Sequence, residues 1–177
     1  MRAVKDEAVA WRGPKKNAMI KQFLTDVVWN DRDVLIVDTP PGTSDEHMTV
    51  MEALRDLGLL AAHVTSAVLV TTPQAVAVGD VRREITFCRK WKLRMLGVIE
   101  NMSGFVCPHC SECTNIFSAG GGKALAEHAN IPFLGTVPIE PKLALAAETG
   151  VNFIEQFKEC EARNCFIKIF EALKQST

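Results

Sequence analysis

Apolar residues recur along this chain at two periods, 3.6 and continuous, and the alternation of the two predicts its elements. Ile20, Phe23, Leu24, Val27 and Val28 stand at i, i+3, i+4, i+7 and i+8, an amphipathic helix running from Pro14 to about Asn30. Residues 34–37 are Val-Leu-Ile-Val, an unbroken apolar run that predicts a strand buried on both faces and ending in Asp38. Pro40-Pro41-Gly42 stops it, and Thr43 and Glu46 form a T-x-x-E capping box for a helix carrying Met48, Met51, Leu54 and Arg55 to near Gly58. Residues 59–66 fit neither period and read as a connection. Residues 67–71 predict a second buried strand. Thr72 as N-cap and Pro73 at N1 then start a helix with Val76, Val81, Ile85 and Cys88 inside and Arg82, Arg83, Arg89 and Lys90 outside. A third strand over 95–100 ends in Asn101, and Gly120-Gly121-Gly122 reads as a flexible joint before a helix over 123–129. A fourth strand over 133–137 runs into Pro138, and helices over about 141–149 and 161–174 finish the chain.

Strands alternating with helices at this spacing predict βαβ units, hence an α/β fold with a parallel sheet, in a single domain over 1–177. The strand tips at Asp38, Thr71–Thr72, Asn101 and Pro138 should share the carboxyl edge, where such sheets bind ligands.

Composition narrows the function. A formal net charge of -1 supplies no global field for nucleic acid or a membrane surface. With no tyrosine and three tryptophans there is little to stack on bases. No apolar run reaches the roughly 20 residues of a membrane span, and the first residues show no secretory signal. Six cysteines in such a chain favour reduced thiols, metal ligands or cluster ligands over disulfides.

Three sets of residues carry candidate chemistry. Asp38, after a hydrophobic strand, has the Walker-B pattern of a carboxylate that accepts from a magnesium-bound water; the plain alternative is a strand-end carboxylate capping nearby N–H groups. Asn101 offers an amide face to a purine edge, or simply turns the chain. Cys107-Pro108-His109-Cys110 is a C-x-x-C pair, with Cys113 three residues on. Two thiolates at this spacing chelate one soft metal or one corner of an Fe–S cluster, whereas a tetrahedral site needs four ligands. Because no second C-x-x-C exists, the economical solution is a site shared by two chains, each giving Cys107 and Cys110; zinc and an Fe–S cluster remain equal on spacing, and adventitious surface thiols are the plain reading. Gly120-Gly121-Gly122-Lys123 is not a P-loop: Phe117 stands where the first glycine belongs and Ala124 where the magnesium-binding hydroxyl belongs. The apolar face of the last helix, Phe166, Ile169, Phe170 and Leu173, suits core or partner packing better than a membrane surface, since Glu159, Glu161 and Glu171 dilute its basic side.

Trp11-Arg12-Gly13-Pro14-Lys15, Val37-Asp38-Thr39-Pro40-Pro41-Gly42-Thr43-Ser44-Asp45, Thr71-Thr72-Pro73-Gln74-Ala75-Val76, Glu100-Asn101-Met102-Ser103-Gly104 and Cys107-Pro108-His109-Cys110 occur here in the order found in Mrp/ApbC-like ATPases. From about residue 7 to about 157 the chain resembles that family, which is related to MinD and the nitrogenase iron protein. The resemblance implies a deviant P-loop NTPase (SIMIBI/MinD-like) fold. It implies a scaffold that assembles a [4Fe–4S] cluster and passes it to cytosolic and nuclear apoproteins with the help of ATP and Mg²⁺. The implied partner is a paralogue of the nucleotide-binding protein 1 type, or a second copy. Carried over by position, Cys107 and Cys110 look like the bridging cluster ligands, on a loop of about 102–118; Asp38 looks like the Walker-B aspartate, and Asn101 with Pro138 like the adenine side of the pocket. Family members open with a strand and a Gly-Lys-Gly-Gly-Val-Gly-Lys-Ser/Thr loop that has no counterpart here. The chain is therefore expected to start near the family's middle, as a fold truncated at the N-terminus.

Overall fold

The computed structural model describes residues 11–61, 64–106 and 113–176. They form two compact units, the first ending at Leu60 and the second beginning at Ala61.

The first unit holds two helices, α1 (Gly13–Thr25) and α2 (Asp45–Asp56). Pro14 sits in the first turn of α1, as its missing N–H allows. The helix stops at Thr25 rather than near Asn30. The Thr25 hydroxyl is turned to the Lys21 carbonyl at 3.0 Å and the Asp26 carboxylate at 2.7 Å, and Asn30 takes a left-handed φ of 53°. In α2, Met51, Ala53 and Leu54 are buried, while Met48 lies exposed.

Residues 34–38 do not form the expected buried strand. They run without ladder bonds and are exposed, Ile36 at 85%. A strand exists only by exchanging backbone hydrogen bonds with a neighbour, and the first unit contains no other strand among the described residues. The capping box is likewise shifted by one residue. Ser44, not Thr43, precedes α2, and its backbone N–H donates to His47 Nδ1 at 3.2 Å. Glu46 turns to the Lys16 ammonium of α1, 3.2 Å away. Gly58 follows α2 with φ +71°, the left-handed turn that ends many helices.

The second unit is an α/β layer structure: β1 (Ser66–Thr71), α3 (Ala75–Lys90), β2 (Arg94–Val106), β3 (Cys113–Thr114), α4 (Gly121–Ala129), β4 (Phe133–Ile139), α5 (Pro141–Thr149), α6 (Phe153–Gln156) and α7 (Glu161–Ser176). Strand β2 is the centre. It pairs in parallel with β1 on one edge (Leu69↔Val98) and with β4 on the other (Ile99↔Gly135), so the expected parallel sheet is present. Beyond β1 it turns to a short antiparallel pairing with β3, Phe105↔Thr114 and Val106↔Cys113.

Alternation along β2 sends successive residues to opposite faces. Val98, fully buried, joins Leu69, Val81, Ile85, Cys88, Leu125 and Ala126 under α3 and α4. Ile99 faces the other layer, where Val137, Ala146, Phe153, Ala162 and Ile169 pack among α5, α6 and α7. Complete burial of a side chain such as valine contributes ~1.5–3 kcal/mol. Helices thus lie on both faces of the central strand β2, and Ile169 puts part of the apolar face of α7 into the core, although Phe170 points outward. Among the described residues no helix is long and apolar enough to cross a membrane.

Two local expectations need correction. Strand β1 is buried only at Leu69 and Thr71: that face packs under α3 and α4, while its other face shows Val68 and Val70 to solvent. The N-cap of α3 is Gln74 rather than Thr72; the Thr72 hydroxyl bonds the Gln74 side chain at 3.0 Å, and Val76 is exposed in the first turn.

Candidate functional site

The carboxyl end of the second unit's sheet gathers Thr71 of β1, Glu100 and Asn101 of β2, and Val137 and Pro138 of β4. Register places Thr71 beside Glu100 and Asn101 beside Val137. Pro138 is the next residue along β4 from the partner of Asn101. The Asn101 side-chain oxygen accepts from the Met102 N–H at 2.9 Å, and Met102 takes φ +55°. Its remaining offer to a ligand is chiefly the amide NH₂, a donor. Asp38 lies in the first unit, exposed in the irregular stretch before Pro40-Pro41-Gly42. Cys107 and Cys110, and His109 between them, lie outside the described residues.

The residue that organises this end is one the pattern of the sequence did not single out. Glu100 is completely buried. By alternation it faces the same layer as Val98, toward α4. Its Oε1 accepts from Ser103 Oγ at 2.5 Å and from the Gly120 N–H at 3.1 Å, and its Oε2 accepts from the Gly122 N–H at 2.6 Å. A carboxylate withdrawn from water is costly unless every lone pair finds a donor, and here three donors converge on it. Two of them are amides at the start of α4, whose positive dipole end favours the anion.

This explains the glycine run, which is no flexible joint. Gly120, the N-cap of α4, has φ +82°, a conformation glycine adopts without penalty. A Cβ on Gly121 would lie 2.6 Å from the Pro73 carbonyl oxygen. One on Gly122 would lie 3.0 Å from both Glu100 Cβ and Thr71 Cγ2. The three glycines let the helix start press against the tips of β1 and β2. A signal was available: α4 begins without any Ser, Thr, Asp or Asn cap, so its first amides need an acceptor from elsewhere in the chain.

Cys88, Cys160 and Cys165 are free thiols. Cys88 faces the core under α3, and burial, with Glu84 nearby, pushes its thiol up from the usual range. Cys160 is buried, which raises its thiol too, and the Sγ–H it donates to Glu140 Oε2 at 2.9 Å adds to the rise. Cys165 is half-buried and raised mainly by burial. Raised thiols hold less thiolate at neutral pH and are correspondingly poor nucleophiles. Among the described residues no group of three or more His, Cys, Asp or Glu side chains gathers in metal-binding fashion.

Comparison with known proteins agrees with this architecture. Residues 1–174 match the family model described as ParA, NUBPL iron-transfer P-loop NTPase. The chain is 61% identical over 168 residues to cytosolic Fe-S cluster assembly factor NUBP2 of Gallus gallus, covering 95% of this chain and 60% of that protein. The NUBP2 of Homo sapiens is 58% identical over 172 residues, with 97% and 62% covered. The chain thus spans less than two thirds of the length of these relatives. Among solved structures, a nucleotide-binding protein of Archaeoglobus fulgidus in complex with ADP is 36% identical with a TM-score of 0.64, over 76% of this chain and 52% of that one. The cell division ATPase MinD of Pyrococcus furiosus shares the fold at 17% identity, with a TM-score of 0.66 over 91% of this chain and 59% of that one.

Proposed function

The chain belongs to the ParA family of NUBPL-type iron-transfer P-loop NTPases, and from that premise we propose that it is a scaffold on which a [4Fe–4S] cluster is assembled and handed to apoproteins. The observation that carries the reading is where the cysteine pair falls. Strand β2, which joins every other strand of its sheet, ends at Val106, and Cys107-Pro108-His109-Cys110 is the next stretch of sequence. A pair of candidate ligands that follows directly in sequence on a central strand is joined to a well-paired part of the fold, a sound base for a functional site. The relatives of about 60% identity are named as cytosolic Fe-S cluster assembly factors, which supports the same cargo and a cytosolic supply of apoproteins.

In this reading Cys107 and Cys110 give two thiolates, and a second chain gives the other two. That second chain is a paralogue of the nucleotide-binding protein 1 type or another copy. Asn101 and Pro138 border the adenine, and Asp38 serves as the Walker-B carboxylate toward Mg²⁺; the ADP complex of the Archaeoglobus fulgidus relative supports a nucleotide. Both units are read as parts of one nucleotide-hydrolase domain over 1–177.

Anaerobic reconstitution with iron and sulfide tests the proposal. The expected product is brown, contains iron and sulfide, and is lost in Cys107→Ala and Cys110→Ala. A colourless chain holding stoichiometric zinc at the same cysteines, or a chromophore unchanged in both variants, overturns it.

A further inference from the structure

Helices α3 and α4 lie side by side over one face of β2, and a groove of about 530 Å³ runs between them. Both helices leave the carboxyl end of the sheet, since β1, β2 and β4 are parallel, so they run in the same direction. Ala75 and Gly121 therefore stand at one end of the groove, and Arg82 and His128, seven positions further along each helix, at the other. That span is about 10 Å at the rise of a helix, the reach of roughly three residues of extended chain.

The two helices are fastened to each other at both ends of this opening. At the sheet end, a Cβ on Gly121 would lie 2.6 Å from the Pro73 carbonyl oxygen and 3.0 Å from Val78 Cγ2, so the start of α4 touches the start of α3. At the far end, the Arg89 guanidinium donates to the Ala129 carbonyl at 2.8 Å. The walls are set in advance, and an occupant need not order them.

Chemically the groove is apolar with one cationic end. Val78 and Leu125 join it to the core beneath, and the exposed Ala75 and Ala124 leave it open along its length. Arg82 and His128 are exposed at the far end, and no carboxylate lines the groove among the described residues. The neighbouring cations are already engaged, Arg83 with Asp80 and Arg89 with Ala129. Among the described residues Arg82 enters no ion pair. A guanidinium and an imidazole N–H at the end of an apolar groove suit a carboxylate attached to something apolar.

We propose that the groove between α3 and α4 binds a short extended segment of a protein partner, with apolar side chains over Val78 and Leu125 and an aspartate or glutamate at Arg82 and His128. A free anion would use only the cationic end and leave the apolar lining wet, whereas an apolar segment removes that lining from water.

The test is an array of immobilised pentapeptides, Gly-x-x-z-Gly, probed with the whole chain. Here x is Ala, Val, Leu, Ile or Phe, and z is Asp or Glu in one set and Asn or Gln in the other. Members of the acidic set should bind, and their amide counterparts about 10-fold more weakly, the effect of losing a charge-assisted hydrogen bond. Fluorescence anisotropy with the tightest acidic peptide then locates the site. Arg82→Gln should weaken its binding about 10-fold. Ala124→Leu puts a good helix former at an exposed position, fills the groove and should weaken binding at least as much; His128→Ala, with a loss in the same direction, decides the matter if Ala124→Leu does not fold. Arg83→Gln removes the same charge from the same helix outside the groove and should bind like the parent chain. Absence of acid-dependent binding throughout the array overturns the proposal. Undiminished binding in folded Arg82→Gln and Ala124→Leu also overturns it, by placing the peptide on another surface. Equal weakening in Arg83→Gln would show a general field of charge, and displacement by inorganic phosphate at the peptide's own concentration would show a simple anion site; either result overturns the proposal.

Discussion

Glu100 Oε2 lies 2.6 Å from the backbone nitrogen of Gly122, and the Gly122 α-carbon has no room for a methyl group because Glu100 Cβ and Thr71 Cγ2 stand where it would go. The hydrogen bond and the close approach are one feature, since a helix start can reach a buried carboxylate only where it carries no side chain.

Gly122→Ala should therefore destabilise the second unit by about 1–3 kcal/mol, the usual cost of overpacking. Gly79, inside α3, has nothing within 4 Å of an added Cβ. Gly79→Ala should instead stabilise by about 0.8–1.0 kcal/mol through helix propensity. Urea unfolding of the two variants should give midpoints displaced in opposite directions. Shifts of the same sign would show that the α4 start is not packed against β1 and β2.

Glu46 provides a pH dependence. Hydrogen bonding from Ser44, then from its own backbone amide and from Lys16, lowers its carboxyl from 4.5 to about 2. A lowered folded-state value means that its contribution is complete above pH 4.5 and is lost as pH falls toward about 2. Carbon-detected NMR titration should show the Glu46 carboxyl titrating near 2, and Ser44→Ala should bring it back upward. Titration in the ordinary carboxylate range in the parent chain would contradict the arrangement at the start of α2.

Thiol chemistry distinguishes the cysteines. Cys88 and Cys160 are buried with raised thiols, so alkylation at pH 7–8 should be slow and should follow unfolding. Peptide mapping after timed iodoacetamide treatment checks this. Labelling of Cys88 or Cys160 as fast as in urea would disprove the packing under α3 or the bond to Glu140. Glu140→Gln should leave the Cys160 thiol still buried and change its labelling less than Cys160 exposure by Phe153→Ala, which opens the core around it.

The level of nucleotide hydrolysis expected of this chain follows from its motif content. The 177 residues contain no G-x-x-x-x-G-K-[ST] sequence, the loop whose backbone amides and lysine hold the phosphates. ATP turnover by this chain alone should match a protein-free control in a coupled phosphate-release assay. Steady turnover that Asp38→Asn abolishes would show that other residues hold the phosphates.

Elements whose cause is local were legible from residue order. The helix expected over 141–149 is α5, Pro141–Thr149, because Pro141 sets its first turn and Gly150 its left-handed end. The strands expected over 67–71, 95–100 and 133–137 are all present, and the α/β class follows from their alternation with helices. The parallel register that puts Asn101 opposite Val137 follows from that same alternation, although β2 does not end at Asn101 as expected but runs on to Val106. Features whose cause is distant were not legible. Residues 34–38 have the apolar run of a buried strand, yet hydrophobicity cannot furnish the backbone partner that a strand requires. Glu100 reads as the polar end of an apolar run, and Gly120-Gly121-Gly122 as slack chain. Folding brings them within 2.6–3.1 Å across some twenty residues, turning a surface-type residue into a buried acceptor and three glycines into a close-packed helix start. Periodicity and caps act over one or two turns of chain, so order along the chain encodes them directly; pairing, burial and the choice of donor for a carboxylate act through space, and exist only once the sheet and its helices have come together.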